Sequence, residues 1–113
     1  MTWTVELLDE RVEAELAELP ADMFARFIRI VELIESEGLP NVREPHVKHL
    51  QDKLWEIRMK GRTGISRAIY VTASEQRVIV VRAFIKKTQK TPRKELKIAL
   101  ERAGEIDEKK KGD

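Results

Sequence analysis

The sequence predicts an α+β domain with the element order βααβββα. Three observations carry that prediction. Two apolar stripes at helical spacing precede Gly38. Three strand-like runs joined by short turns then lie between Leu54 and Lys86. Finally, Thr91-Pro92 reads as the start of a helix, with the hydroxyl as cap and the proline in the first turn. A chain of 113 residues is long enough for one modest core and too short for two.

Each element follows from its residues. Trp3-Thr4-Val5-Glu6-Leu7-Leu8 alternates in part and predicts a short strand. Asp9 is a good helix cap, and Glu10 suits the positive end of the helix dipole. Val12, Leu16 and Leu19 share a face of the helix that follows, and Pro20 separates it from the next. The second helix is predicted over residues 21–37. Its apolar stripe is Met23, Phe24, Phe27, Val31 and Ile34, widened by Ile28 and Ile30. Gly38 can supply the backbone conformation that ends it. The two helices form a hairpin that must bury its stripe elsewhere.

Residues 39–53 read as loop, because Pro40 and Pro45 interrupt any regular pattern. Strands are expected over residues 54–60, 65–73 and 77–86, joined by turns at 61–64 and 73–76 in an antiparallel meander. The last begins apolar on both faces, so it should be central and covered. Leu96, Ala99, Leu100 and Ala103 line one face of the final helix, which Gly104 is expected to end. The domain is thus placed at residues 1–104, and residues 105–113 are expected to be a charged, frayed tail.

Hydrophobic residues make up 42% and charged residues 37%, the balance of a globular protein with a heavily charged surface. No apolar run has the length of a membrane span, and the N-terminus lacks the order of a signal peptide. The absence of cysteine excludes disulfides and thiolate metal sites and fits a cytoplasmic protein. The net charge of +2 conceals a division of the chain. Residues 1–41 carry 3 basic and 10 acidic side chains, and residues 42–94 carry 14 basic and 4 acidic. The stretch Arg-Ala-Phe-Ile-Lys-Lys-Thr-Gln-Lys-Thr-Pro-Arg-Lys, residues 82–94, contains no acid. Such a cluster at a strand-to-helix junction can converge on a polyanion, above all nucleic acid. Packing of the basic segment against the acidic one explains the charge division equally well.

Four short motifs in order carry a family resemblance: Lys48-His49-Leu50, Leu54-Trp55-Glu56-Ile57-Arg58, Ile65-Ser66-Arg67-Ala68-Ile69-Tyr70, and Phe84-Ile85-Lys86-Lys87-Thr88-Gln89-Lys90-Thr91-Pro92. With the element order, they make the chain from about Val5 to Ala103 resemble the RelE/ParE toxin superfamily, and within it the phage-derived HigB-like branch. The resemblance implies a RelE-like fold, a small twisted, antiparallel-rich sheet with a helical hairpin on one face and a concave basic face opposite. It implies a toxin of a type II toxin–antitoxin pair that cleaves messenger RNA on the ribosome, with a helix-turn-helix HigA-like antitoxin as partner. The related ParE branch poisons DNA gyrase instead, and fold alone does not separate the two. A module that binds nucleic acid without cutting it would need only the charge.

RNA can be cut without a metal or other cofactor when its own 2′-OH attacks the adjacent phosphorus. The protein must align the backbone, stabilise charge on the phosphorane and help move two protons. Arg58 and Arg67, on neighbouring predicted strands, are the candidate guanidinium fork. Arg67 interrupts the apolar line of Ile65, Ile69 and Val71. Lys86 and Lys87 complete the candidate catalytic set, since neighbouring cations can lower a lysine's proton affinity enough for it to take part. Arg62, Arg82, Thr88, Gln89, Lys90 and Arg93 are candidate RNA contacts. His46 and His49 read as surface loop residues with no third metal ligand. Glu56 reads as the ion-pair partner of a strand arginine, Tyr70 as core, and Trp55 and Trp3 as packing. The antitoxin surface is expected either on the acids of the hairpin (Glu10, Glu13, Glu32, Glu35) or over Lys86, Lys87 and Lys90.

Overall fold

A computed structural model describes residues 2–87 and 90–112, with side chains through Ile106. The chain runs β1 (Thr4–Leu7), α1 (Glu10–Ala17), α2 (Ala21–Glu37), a 3₁₀ turn (Leu39–Asn41), β2 (Val47–Gln51), β3 (Leu54–Gly61), β4 (Gly64–Ala73), β5 (Arg77–Lys86) and α3 (Arg93–Gly112). The fold is α+β: a five-stranded mixed sheet in the order β1-β5-β4-β3-β2 with helices on both faces.

Local chemistry sets the helix limits. Asp9 is extended, and its carboxylate accepts from the Arg11 backbone N–H at 3.0 Å, capping α1. Gly38 leaves α2 at φ +88°, where a side chain would be strained and its Cβ would press on Trp3. The buried face of α2 is Met23, Phe27, Ile30 and Ile34. Ile30 is therefore central to the stripe, and Phe24 and Ile28 stay exposed, because α2 lies on the sheet through one narrow face.

Two expectations are corrected. Residues 47–51 form a strand, β2, which pairs antiparallel with β3. It is an edge strand paired on one side only, and of its five residues only Val47 is buried, so it lacks the alternation that marks a half-buried strand. β3, β4 and β5 form the expected antiparallel meander, to which β1 adds in parallel on β5, from Thr4 opposite Arg77 to Leu7 opposite Val80. That pairing joins chain segments more than seventy residues apart and leaves no local signal. Finally, α3 does not end at Gly104. Ile106, beyond it, packs on the apolar cluster under the helix, and that burial outweighs the roughly 1 kcal/mol cost of a helical glycine.

The sheet separates two cores. On one face, α1 and α2 cover Ile57, Met59, Ala68, Tyr70, Val78 and Val80. On the other, Ala99 and Ala103 of α3 cover Ile69, Val71, Ile79, Val81 and Phe84. β5 is central and covered, as its apolar start predicts. A register shift beside Ile69 leaves Val81 as an extra residue opposite β4, so Val81 and Arg82 both turn toward α3. No helix among the described residues is long and apolar enough to cross a membrane.

Candidate active site

α3 covers only part of its face of the sheet. Beyond its first turn, β2, β3, β4 and the end of β5 leave a hollow of about 280 Å³. Strand register explains what lines it. Paired residues in a sheet point to the same side, and here Lys48 pairs with Glu56, Arg58 with Arg67, and Arg67 with Phe84. Lys86, two residues beyond Phe84, continues the row along β5. Lys48, Glu56, Arg58, Arg67, Lys86 and Lys90 accordingly meet around one space, closed on the helix side by Thr91 and Leu96.

The floor is ionic and buried. Glu56 and Arg67 are 1% and 3% exposed, and Arg67 Nη1 donates to Glu56 Oε1. Thr91 Oγ1 donates to the other carboxylate oxygen, Oε2, at 3.3 Å, which ties the entry of α3 to the sheet. Arg67 Nε is buried with no hydrogen-bond partner among the described residues. Burial lowers the proton affinity of the Arg67 guanidinium from its ordinary value. Arg58 is half-buried at the wall, and its backbone N–H donates to the His46 carbonyl at 2.9 Å. The Lys86 ammonium is held below the ordinary lysine value by burial first, then by the charges of Arg67, Arg58 and Lys48. The sequence predicts that neighbouring cations could lower a lysine here; at Lys86 they contribute, but burial is the larger cause.

The hollow gathers Arg58, Arg67, Lys86 and Lys90 from the residues expected on sequence grounds. It does not gather the others. Lys87 is exposed past the end of β5, outside the lining, and so is Arg93 at the start of α3. Arg62 lies at the β3–β4 turn, where its backbone N–H donates to Asp22 Oδ2 at 2.7 Å. Arg82 is held by two carboxylates instead, with Nη1 at 2.6 Å from Glu15 Oε2 and Nε at 2.7 Å from Glu95 Oε1. Thr88 and Gln89 lie outside the described residues.

Sequence reasoning missed Lys48 and Thr91 as lining residues and favoured an ion-pair role for Glu56 over that of a base. Reading residues 47–51 as a strand would have found Lys48, because an antiparallel pairing with β3 sets it beside Glu56. His49 also reaches the hollow, with Nε2 donating to the Asp52 carbonyl at 2.8 Å and its ring 4.9 Å from that of Trp55. A small hollow with a cationic wall, a fixed carboxylate and a lysine of lowered proton affinity can hold a phosphate and exchange protons with it.

Residues 14–104 match the family described as Phage derived protein Gp49-like. The chain belongs to this family. The Gp49-like match spans both halves of the hollow, from α1 to the middle of α3. A solved structure, the archaeal RelE–RelB complex from Pyrococcus horikoshii OT3, contains a chain that is 26% identical to this Gp49-like protein, with a TM-score of 0.55. The alignment covers 75% of this chain and 96% of that one, and the shared architecture is the RelE fold. No protein with a curated description matches by sequence.

Proposed function

We propose that this Gp49-like protein is the toxin of a toxin–antitoxin pair, of the HigB-like branch, and that it cleaves messenger RNA on the ribosome in the cytoplasm. The supporting observation is the convergence of Lys48, Arg58, Arg67, Lys86 and Lys90 on one hollow. The likeness to a chain of a RelE–RelB complex supports the same reading and extends it to an antitoxin partner, here a helix-turn-helix HigA-like protein.

The reaction is transesterification. The ribose 2′-oxygen forms a bond to phosphorus as the bond to the 5′-oxygen breaks, leaving a 2′,3′-cyclic phosphate and a 5′-hydroxyl. Arg58 grips non-bridging oxygens at the rim, where its fork is accessible. Arg67, anchored by Glu56, adds positive potential from the floor. Lys48 and Lys90 contribute point charges as the phosphorane becomes dianionic. Lys86, whose proton affinity is lowered by burial and then by neighbouring cations, takes the 2′-OH proton in its neutral form, and the departing 5′-oxygen takes a proton from water. Lys87, Arg93 and Arg62 extend the field to flanking phosphates.

Induced expression tests the reading. Growth should arrest, and mapped message ends should fall within translated codons; Arg58→Ala and Lys86→Met should each restore growth while the protein stays folded. Intact messages during arrest, or full toxicity in both folded variants, would overturn it.

A further inference from the structure

A second cavity, of about 500 Å³, lies around the edge of the sheet from the cationic hollow. It opens between the 3₁₀ turn and β2, and Leu39, Val42, Val47, Trp55 and Tyr70 give it apolar walls. Trp55 is 39% exposed there, an unusual state for the largest side chain on a strand whose neighbours Leu54, Glu56 and Ile57 are all buried. Its ring is braced at 4.9 Å by His49, which is itself fixed through Nε2 to the Asp52 carbonyl. The indole is therefore held open to solvent.

The two cavities share a wall. Lys48 and His49 line both, because β2 is the last strand and successive residues point to opposite faces around a free edge. A single strand of nucleic acid leaving the cationic hollow across β2 would arrive at Trp55, and Arg43 and Lys48 on the rim would meet its next phosphate. Stacking on a braced aromatic beside a backbone-binding cationic groove is how unpaired bases are held. Glu44 lines the same cavity beside Arg43, so a bound strand would set its phosphates toward Arg43 and Lys48 and its base toward Trp55.

We infer that the cavity walled by Trp55 and His49 is a nucleobase site, occupied by an unstacked base next to the phosphate held by Arg58 and Lys86. This rests on the reading of the hollow as an RNA site and adds to it a base-specific pocket that the charged residues cannot provide.

The test uses the full chain carrying Trp3→Phe, which leaves Trp55 as its one tryptophan. A trinucleotide RNA with 2′-O-methyl groups, which cannot be cleaved, is titrated against it and compared with versions bearing an abasic ribose at each position in turn. The expected result is quenching of Trp55 emission and an affinity about tenfold above that for one of the three abasic versions. Trp55→Ala should abolish that difference while keeping the affinity for the abasic strand, and Trp55→Phe should restore part of it. Equal affinity for all versions, unmoved Trp55 emission on binding, or a Trp55 that responds only to a partner protein would overturn the base site. Binding with base preference but without scission of an unmethylated strand would leave the base site standing and overturn the cleavage reading alone.

Discussion

Arg58 and Arg67 are register partners across β3 and β4, yet the first stands half-buried at the mouth of the hollow and the second is buried against Glu56. Two residues of one type, paired across a hairpin, thus carry different work. The inner one holds the floor.

That difference predicts opposite responses to truncation. Arg58→Ala should leave stability within about 1 kcal/mol of the parent, as for a partly exposed charge, while abolishing growth arrest. Arg67→Ala should cost about 3–5 kcal/mol in urea denaturation, because it strands the Glu56 carboxylate in the interior. Replacing both Glu56 and Arg67 with apolar residues of similar size should recover most of that loss without recovering toxicity.

The depressed proton affinity of Lys86 predicts a pH dependence with a definite sign. Between its lowered folded value and the ordinary lysine value of 10.5, the unfolded chain binds more protons than the folded one, so stability rises with pH across that window. Lys86→Met should flatten this slope in denaturant titrations. Single-turnover cleavage by the parent should rise with pH as Lys86 loses its proton. In Arg58→Met, with one neighbouring charge removed, the residual rate should rise at higher pH than in the parent.

Glu15 joins three elements. Its carboxylate accepts from Arg82 Nη1 of β5 at 2.6 Å, from the Ala83 backbone N–H at 3.1 Å and from Arg102 Nη1 of α3 at 3.0 Å. Glu15→Ala should cost about 1.5–3 kcal/mol, the range for hydrogen bonds to charged groups, and speed amide exchange along α3. Because the entry of α3 carries Thr91 into the hollow, cleavage should slow as well, although Glu15 does not line the hollow.

Gly61 lies where the β3–β4 turn meets the start of α2. A Cβ there would sit 2.7 Å from Asp22 Oδ2 and 2.8 Å from Met23 Cγ. Gly61→Ala should therefore lower stability by about 1–3 kcal/mol through overpacking, visible as a fall in Tm. A methyl group at Gly64 would meet no atom within 4 Å, so Gly64→Ala tests backbone conformation alone, at φ +147°.

The sequence by itself determined the helices apart from the far end of α3, the strands β3 to β5 and the presence of Arg58, Arg67, Lys86 and Lys90 in one basic segment, because periodicity, caps and turns are local and act through neighbours in the chain. It also suggested that crowding would tune a lysine. Tertiary structure alone decided that β1 lies parallel to β5, that β2 closes the other edge, and that Arg82 is taken up by Glu15 and Glu95 while Lys48 joins the hollow. Those outcomes depend on which charges share a face after distant segments pair. Register and burial fix that, and neither is written in the spacing of residues along the chain.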